Sequence, residues 1–258
     1  MSSIWKRFKE DELNIIGSDG IENETQKRDV HPDLYDAALC LYAYDDLEYL
    51  STLISEKRIG VNDLNPITQQ SLLFLAIVNN RVDAAKFLMH QGANLEYLCE
   101  QKDYLFWAVF TNCDIELLQV LLATQQFKLD IATLRLAIRK MEAPQIKLLI
   151  TQFNESDLDE SFNEGDENFP IMTTVFEQLV EDNFYTLAEE LLTYALPNTW
   201  EKLRNNDYLT TLDCLIATPP LHIDFSPPSS RKRTLPNYSQ DALRQLKVTL
   251  EKVLDGKI

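Results

Sequence analysis

Residues 71–96 read SLLFLAIVNNRVDAAKFLMHQGANLE, two short apolar runs parted by a polar break and closed by Gly-Ala-Asn. Leu72, Leu73, Leu75, Ala76 and Ile77 recur at helical spacing, Asn79-Asn80 interrupts them, and Val82, Ala85, Phe87, Leu88 and Met89 resume the pattern. Helices of so few turns are marginal alone in water, so each must pack on a neighbour. Gly92 falls where a helix would end on a left-handed residue.

The same grammar recurs downstream. In 103–126, Leu105, Trp107, Ala108 and Val109 precede a polar break, then Ile115, Leu117, Leu118, Leu121 and Leu122 follow. In 132–152, Leu134, Leu136, Ala137 and Ile138 are followed by Ile146, Leu148, Leu149 and Ile150, with Pro144 in the first turn, where a missing N–H costs nothing. Ala76, Ala108 and Ala137 are spaced by 32 and 29 residues. A period in this range means stacked supersecondary units.

These units resemble ankyrin repeats. Ser71-Leu72-Leu73-Phe74-Leu75-Ala76 and Asp103-Tyr104-Leu105-Phe106-Trp107-Ala108 stand where that family opens its first helix with T-P-L-H-x-A. Leu88-Met89-His90-Gln91-Gly92-Ala93-Asn94 matches the end of its second helix. Upstream, 33–62 resembles a first repeat, with Asp46-Leu47-Glu48 opening its second helix and Leu53-Ile54 ending it. Downstream, 171–195 and 200–217 keep the helix–break–helix rhythm without the motif residues. Phe74, Phe106 and Arg135 replace the family's His, so apolar burial, worth about 1.5–3 kcal/mol per large side chain, must stand in for its inter-repeat hydrogen bonds. The resemblance implies an all-α, ankyrin-type helical repeat solenoid over 31–217. Its motifs are clear in 61–152 and degenerate in 33–60 and 171–217.

Around this array the composition changes. Residues 1–30 mix both charges and read as loosely ordered. An acidic loop, 154–168, carries seven acids and no base. Five prolines in 218–237 make 218–238 an extended linker. Residues 239–255 then read as an amphipathic helix, N-capped by Ser239, with Leu243, Leu246, Leu250 and Val253 on one face.

Forty-one acidic against 24 basic residues give a net charge of −17 over 258 residues. Such a chain repels phosphate backbones and anionic membrane surfaces, so neither nucleic acid nor membrane is expected as a partner. No uncharged apolar run approaches the roughly 18 residues of a transmembrane helix, and the basic stretch at 1–9 is followed by no apolar run. Four cysteines without a C-x-x-C pair suit a reducing, cytoplasmic setting, the thiols serving as small core residues. Six unclustered glycines provide no phosphate-cradling turn.

No catalytic, cofactor-binding or metal-binding set is expected. The sequence contains no G-x-S-x-G and no H-E-x-x-H, and His31, His90 and His222 are far apart. Asp157, Asp159 and Ser161 could open a calcium loop, but Phe162 stands where Gly is required and Asn168 where Glu is required. A solvated loop is therefore the expectation. From 148 to 201 there are 13 acids and no Lys or Arg, whereas 231–258 holds seven bases and three acids. Two readings stay open: an acidic face for a basic partner, or a face on which the chain's own basic C-terminal segment docks. Arg231-Lys232-Arg233 also resembles a minimal nuclear import patch.

What the resemblance implies for function is recognition of a partner protein on the concave face, without catalysis, by a monomer. The two residues after each motif alanine would line that face: Val78 and Asn79, Phe110 and Thr111, Arg139 and Lys140. Trp107 points inward and reads as core, whereas Phe110 points away from it. This stripe suits a partner segment carrying an apolar residue and an acid. Alternatives are a bacterial effector binding a host protein after delivery into its cell, and an enzyme with a cryptic catalytic region in 154–258.

Overall fold

A computed structural model describes residues 31–65, 68–127, 129–163, 172–217 and 239–256. The expectations for 1–30, for 218–238 and for the second half of the acidic loop lie outside them. The described residues are mostly helical, as the periodicity requires; β-structure among them is confined to one two-residue antiparallel ladder and two isolated bridges. They fall into two compact units, one up to Phe127 and the other beyond it.

The described residues of the N-terminal unit form three helix pairs. The first is α1 (Pro32–Leu39), extended by a π-helical turn (Cys40–Tyr44), with α2 (Leu47–Ser55). The second is α3 (Leu72–Val78) with α4 (Val82–His90), and the third α5 (Tyr104–Phe110) with α6 (Ile115–Ala123). First helices pack in a row, α3 against both α1 and α5, and second helices do likewise, α4 against α2 and α6. Ala37, Ala76, Ala85 and Ala108 are wholly buried, small residues that let neighbouring helices approach. Leu50, Leu53, Leu72, Leu88, Leu105, Leu117 and Leu118 fill the space between the rows.

The period is written in the backbone as well as in the side chains. Between paired helices the chain reverses through a left-handed residue: Asp45 (φ 53°), Asn80 (φ 56°) and Asn112 (φ 54°). The next N–H then donates back to the motif alanine, Arg81 to Ala76 at 2.8 Å and Cys113 to Ala108 at 3.0 Å. This is the Schellman closure, and asparagine suits it because its short polar side chain tolerates positive φ. Second helices are also followed by a left-handed residue, Lys57 (φ 57°), Gly92 (φ 88°) and Gln125 (φ 54°), and after the first two the next N–H donates back to Leu53 and Leu88. Only Gly92 announces itself in the sequence.

Polar bonds also join successive pairs. Asn62 Oδ1 accepts from the Asn94 N–H at 2.6 Å while its Nδ2 donates to the Gly92 carbonyl at 3.1 Å. Asn80 Oδ1 accepts from the Asp114 N–H at 2.7 Å, and its Nδ2 donates to the Asp114 carboxylate. Arg81 donates to the Leu41 and Tyr42 carbonyls at 3.0 and 3.3 Å and pairs with Asp45 at 3.1 Å, satisfying the open end of the π turn. Ser71 Oγ and Tyr104 OH share a buried bond of 2.8 Å.

The C-terminal unit opens with α7 (Ile131–Lys140) paired to α8 (Ala143–Ile150). There follow α9 (Glu155–Leu158), the β1 (Phe162–Asn163) and β2 (Met172–Thr173) ladder, and the pair α10 (Val175–Glu181) and α11 (Tyr185–Leu191). α7 packs against α10, and Lys147 on α8 bridges Glu190 on α11 at 2.7 Å. α12 (Pro197–Asn205), α13 (Tyr208–Ala217) and α14 (Gln240–Leu254) complete the unit. α14 packs on α11, α12 and α13 together, so this end of the unit is a cluster of helices and not a further step of a row. Its buried face is Leu243, Leu246, Leu250 and Leu254; Val253, expected inside, is only half-buried.

Two expectations are corrected here. The first half of the acidic loop is folded: α9 buries Leu158 completely and Asp159 almost so. The Asp159 carboxylate accepts from the Asn198 and Thr199 N–H groups at 3.0 and 2.7 Å, capping α12, whose own N-cap position holds Leu196 and provides no side-chain acceptor. Asp159 is therefore a structural cap and not a solvated calcium ligand. Cys214, expected as a core residue, is exposed on α13, while Cys40 and Cys113 are buried.

Candidate binding surface

Capping residues position the first helices. Ser71 Oγ accepts from the Phe74 N–H at 3.0 Å, and Asp103 Oδ1 from the Phe106 N–H at 2.8 Å. Asp130 opens α7 in the same way, and Thr174 opens α10 with a reciprocal Glu177 capping box. The six residues named from sequence then sit at helix ends as follows.

Val78 and Phe110 hold equivalent positions on the adjoining helices α3 and α5, and both are half-buried. Asn79 and Thr111 turn their polar groups back on their own helices. Asn79 Nδ2 donates to the Leu75 carbonyl at 2.9 Å, and the Thr111 hydroxyl donates to the Trp107 carbonyl at 2.8 Å. Thr111's single donor is thus spent inside the molecule. Arg139 and Lys140 belong to the C-terminal unit, exposed in the last turn of α7. There their positive charge also complements the negative end of that helix. The unit up to Phe127 brings four of the six together.

The densest feature of this surface escaped the sequence reading. Lys102, Phe106 and Phe110 follow one another at four-residue steps along one face of α5 and the residue leading into it. The Lys102 ammonium lies 4.8 Å from the centre of the Phe106 ring, within cation–π range. Phe106 stacks on Phe110 with centroids 6.1 Å apart and planes at 17°. Trp107 presents an edge to each, at 5.7 and 5.5 Å, and meets Phe74 of α3 at 5.4 Å. Trp107 is buried, as expected of a core residue, and its indole N–H donates to the Cys99 carbonyl at 3.1 Å.

Lys102 is delivered by a two-residue hairpin. Cys99 and Lys102 exchange both backbone bonds at 3.0 Å, and the central Glu100 and Gln101 are both left-handed, φ 50° and 62°. Right-twisted strands demand that geometry of so short a turn, and neither residue is Gly or Asn, so each stores about 1–2 kcal/mol of strain. Leu98, just before the turn, is 56% exposed, and Leu64 on the preceding loop is 38% exposed. Asn62–Asn94 and the bond from the Tyr97 hydroxyl to the Gln69 carbonyl tie these two loops together.

Burial favours the neutral forms of two phenols and a thiol near this surface. Burial pushes the Tyr104 phenol up to about 12, only partly offset by its bond to Ser71. Burial also raises Tyr97 and the Cys99 thiol, which keeps Cys99 protonated and a poor nucleophile. Among the described residues no three His, Cys, Asp or Glu side chains group as a metal site would require, and no helix is long and apolar enough to cross a membrane. No protein-family model and no curated protein matches the chain.

Proposed function

We propose that the protein is a non-enzymatic recognition module of the ankyrin-repeat kind, binding a partner protein through the ends of its first helices and the loops that lead into them. The observation that carries this reading is the pairing of helices at a recurring interval, the left-handed residues between paired helices standing 35 and 32 residues apart. Three successive pairs, with first helices in one row and second helices in another, reverse through the same left-handed turn. Each pair buries one flank on its neighbours and leaves helix ends and loop tips outside, the division of labour found in repeat proteins that bind extended partners. Phe110, in its aromatic cluster, is the anchor.

The test is affinity capture with the intact protein, followed by titration of the partner it retains. Phe110→Ala is expected to weaken that complex about tenfold or more, the loss of a central aromatic contact, with the far-UV dichroism unchanged. An unchanged Kd for Phe110→Ala would count against this surface. Turnover of any substrate by the purified chain would count against the module itself.

A further inference from the structure

We propose that Lys102, Phe106, Phe110 and Leu98 recognise an acidic segment of a partner protein. An apolar side chain of that segment lies on the Phe106–Phe110 pair, and a carboxylate meets the Lys102 ammonium. This rests on the binding-module reading and names the chemistry of what is bound.

Charge complementarity fixes the occupant. Lys102 is exposed, and among the described residues its one side-chain partner is the face of Phe106. A ring already covered by a cation repels a second one, so an ammonium or guanidinium from a basic partner is disfavoured here, although the chain's net charge of −17 attracts such partners at long range. A carboxylate gains from both neighbours: it pairs with the ammonium, and the positive ring edge is compatible with it. Leu98, exposed just before the turn, and the stacked phenyl rings give an apolar residue beside that carboxylate its place. The strained Cys99–Lys102 turn and the ties between its loop and the preceding one hold these groups before binding, so little ordering is left to be done in the complex.

The experiment is selection of a phage-displayed random peptide library on the intact, immobilised protein, with the enriched sequences then titrated as labelled synthetic peptides. Enrichment of an aromatic residue or Leu beside Asp or Glu is expected. Affinity should fall about tenfold with Lys102→Glu and with Leu98→Ser, both exposed positions whose melting curves should match the parent. Replacing the peptide's acid by Lys should restore part of the loss in Lys102→Glu. Enrichment of basic peptides, or of acidic ones whose affinity ignores Lys102→Glu, overturns this inference and leaves the binding-module reading standing. Failure to enrich any peptide above the bare support, together with no partner captured by the whole protein, removes both.

Discussion

At Asn80 a single side chain performs two structural tasks. Its backbone takes the left-handed turn between α3 and α4, and its amide reaches Asp114 of the next pair in both directions. Asn80→Ala should therefore cost about 2 kcal/mol, combining left-handed strain with lost bridging bonds, whereas Asn80→Gly should recover the strain part alone. Urea unfolding of the two variants separates the contributions. Tyr104 makes a second prediction at this scale. Its pKa is raised in the fold, so its contribution to stability is complete below the ordinary tyrosine value of 10.0 and is lost as pH rises through about 12. Stability should fall across that window, and Tyr104→Phe should flatten the fall while costing about 1 kcal/mol at neutral pH, because Ser71 Oγ keeps the Phe74 N–H but loses its bond to the phenol. Denaturation midpoints at stepped alkaline pH read both effects. Asparagines at turn positions could be anticipated from residue type, but Lys57, Gln125, Glu100 and Gln101 in the same backbone region could not. Nothing in those side chains favours positive φ, and the surrounding packing imposes it.

At the scale of elements, short helices lean on groups distant in the chain. α12 begins at a position that cannot cap itself, and Asp159, 39 and 40 residues earlier, provides the acceptor. Asp159→Ala should destabilise the fold by about 2 kcal/mol, since two N–H groups at a positive helix end lose a carboxylate, while Asp157→Ala should have little effect. Thermal melts of the two variants decide this, and equal melting temperatures would refute the assignment. α14 was legible as an amphipathic helix because leucines at three- and four-residue steps need a neighbour. Its docking on three helices at once, with Lys247 on Asp213 at 2.6 Å and Arg204 on the Leu254 carbonyl, was not legible. Some charges of the acidic 148–201 stretch have partners outside the basic 231–258 segment: Asp159 caps α12, Glu177 meets Lys202 and Glu190 meets Lys147.

Across the whole molecule the charge imbalance dominates. A net −17 makes the folded chain repel itself more than the expanded one does, and salt screens that repulsion over a Debye length of about 8 Å at physiological strength. Its exposed ion pairs are individually weak, so their screening should not offset the gain. Raising salt from low to physiological strength should therefore increase Tm, by about 2–4 °C for each kcal/mol regained. A falling Tm would mean that the ion pairs outweigh the net repulsion.

The amino-acid order alone established helices, their pairing and their spacing, because apolar periodicity and the need of short helices for neighbours are local and additive along the chain. It set Phe110 at the margin of the core for the same reason: two residues past a buried alanine, a side chain turns away from it. The partners of that side chain came from elsewhere. Phe106 at stacking distance, Lys102 over its face, Leu98 beside a strained turn and Asp159 on a remote helix end depend on backbone directions that packing sets, and packing is a property of the assembled elements.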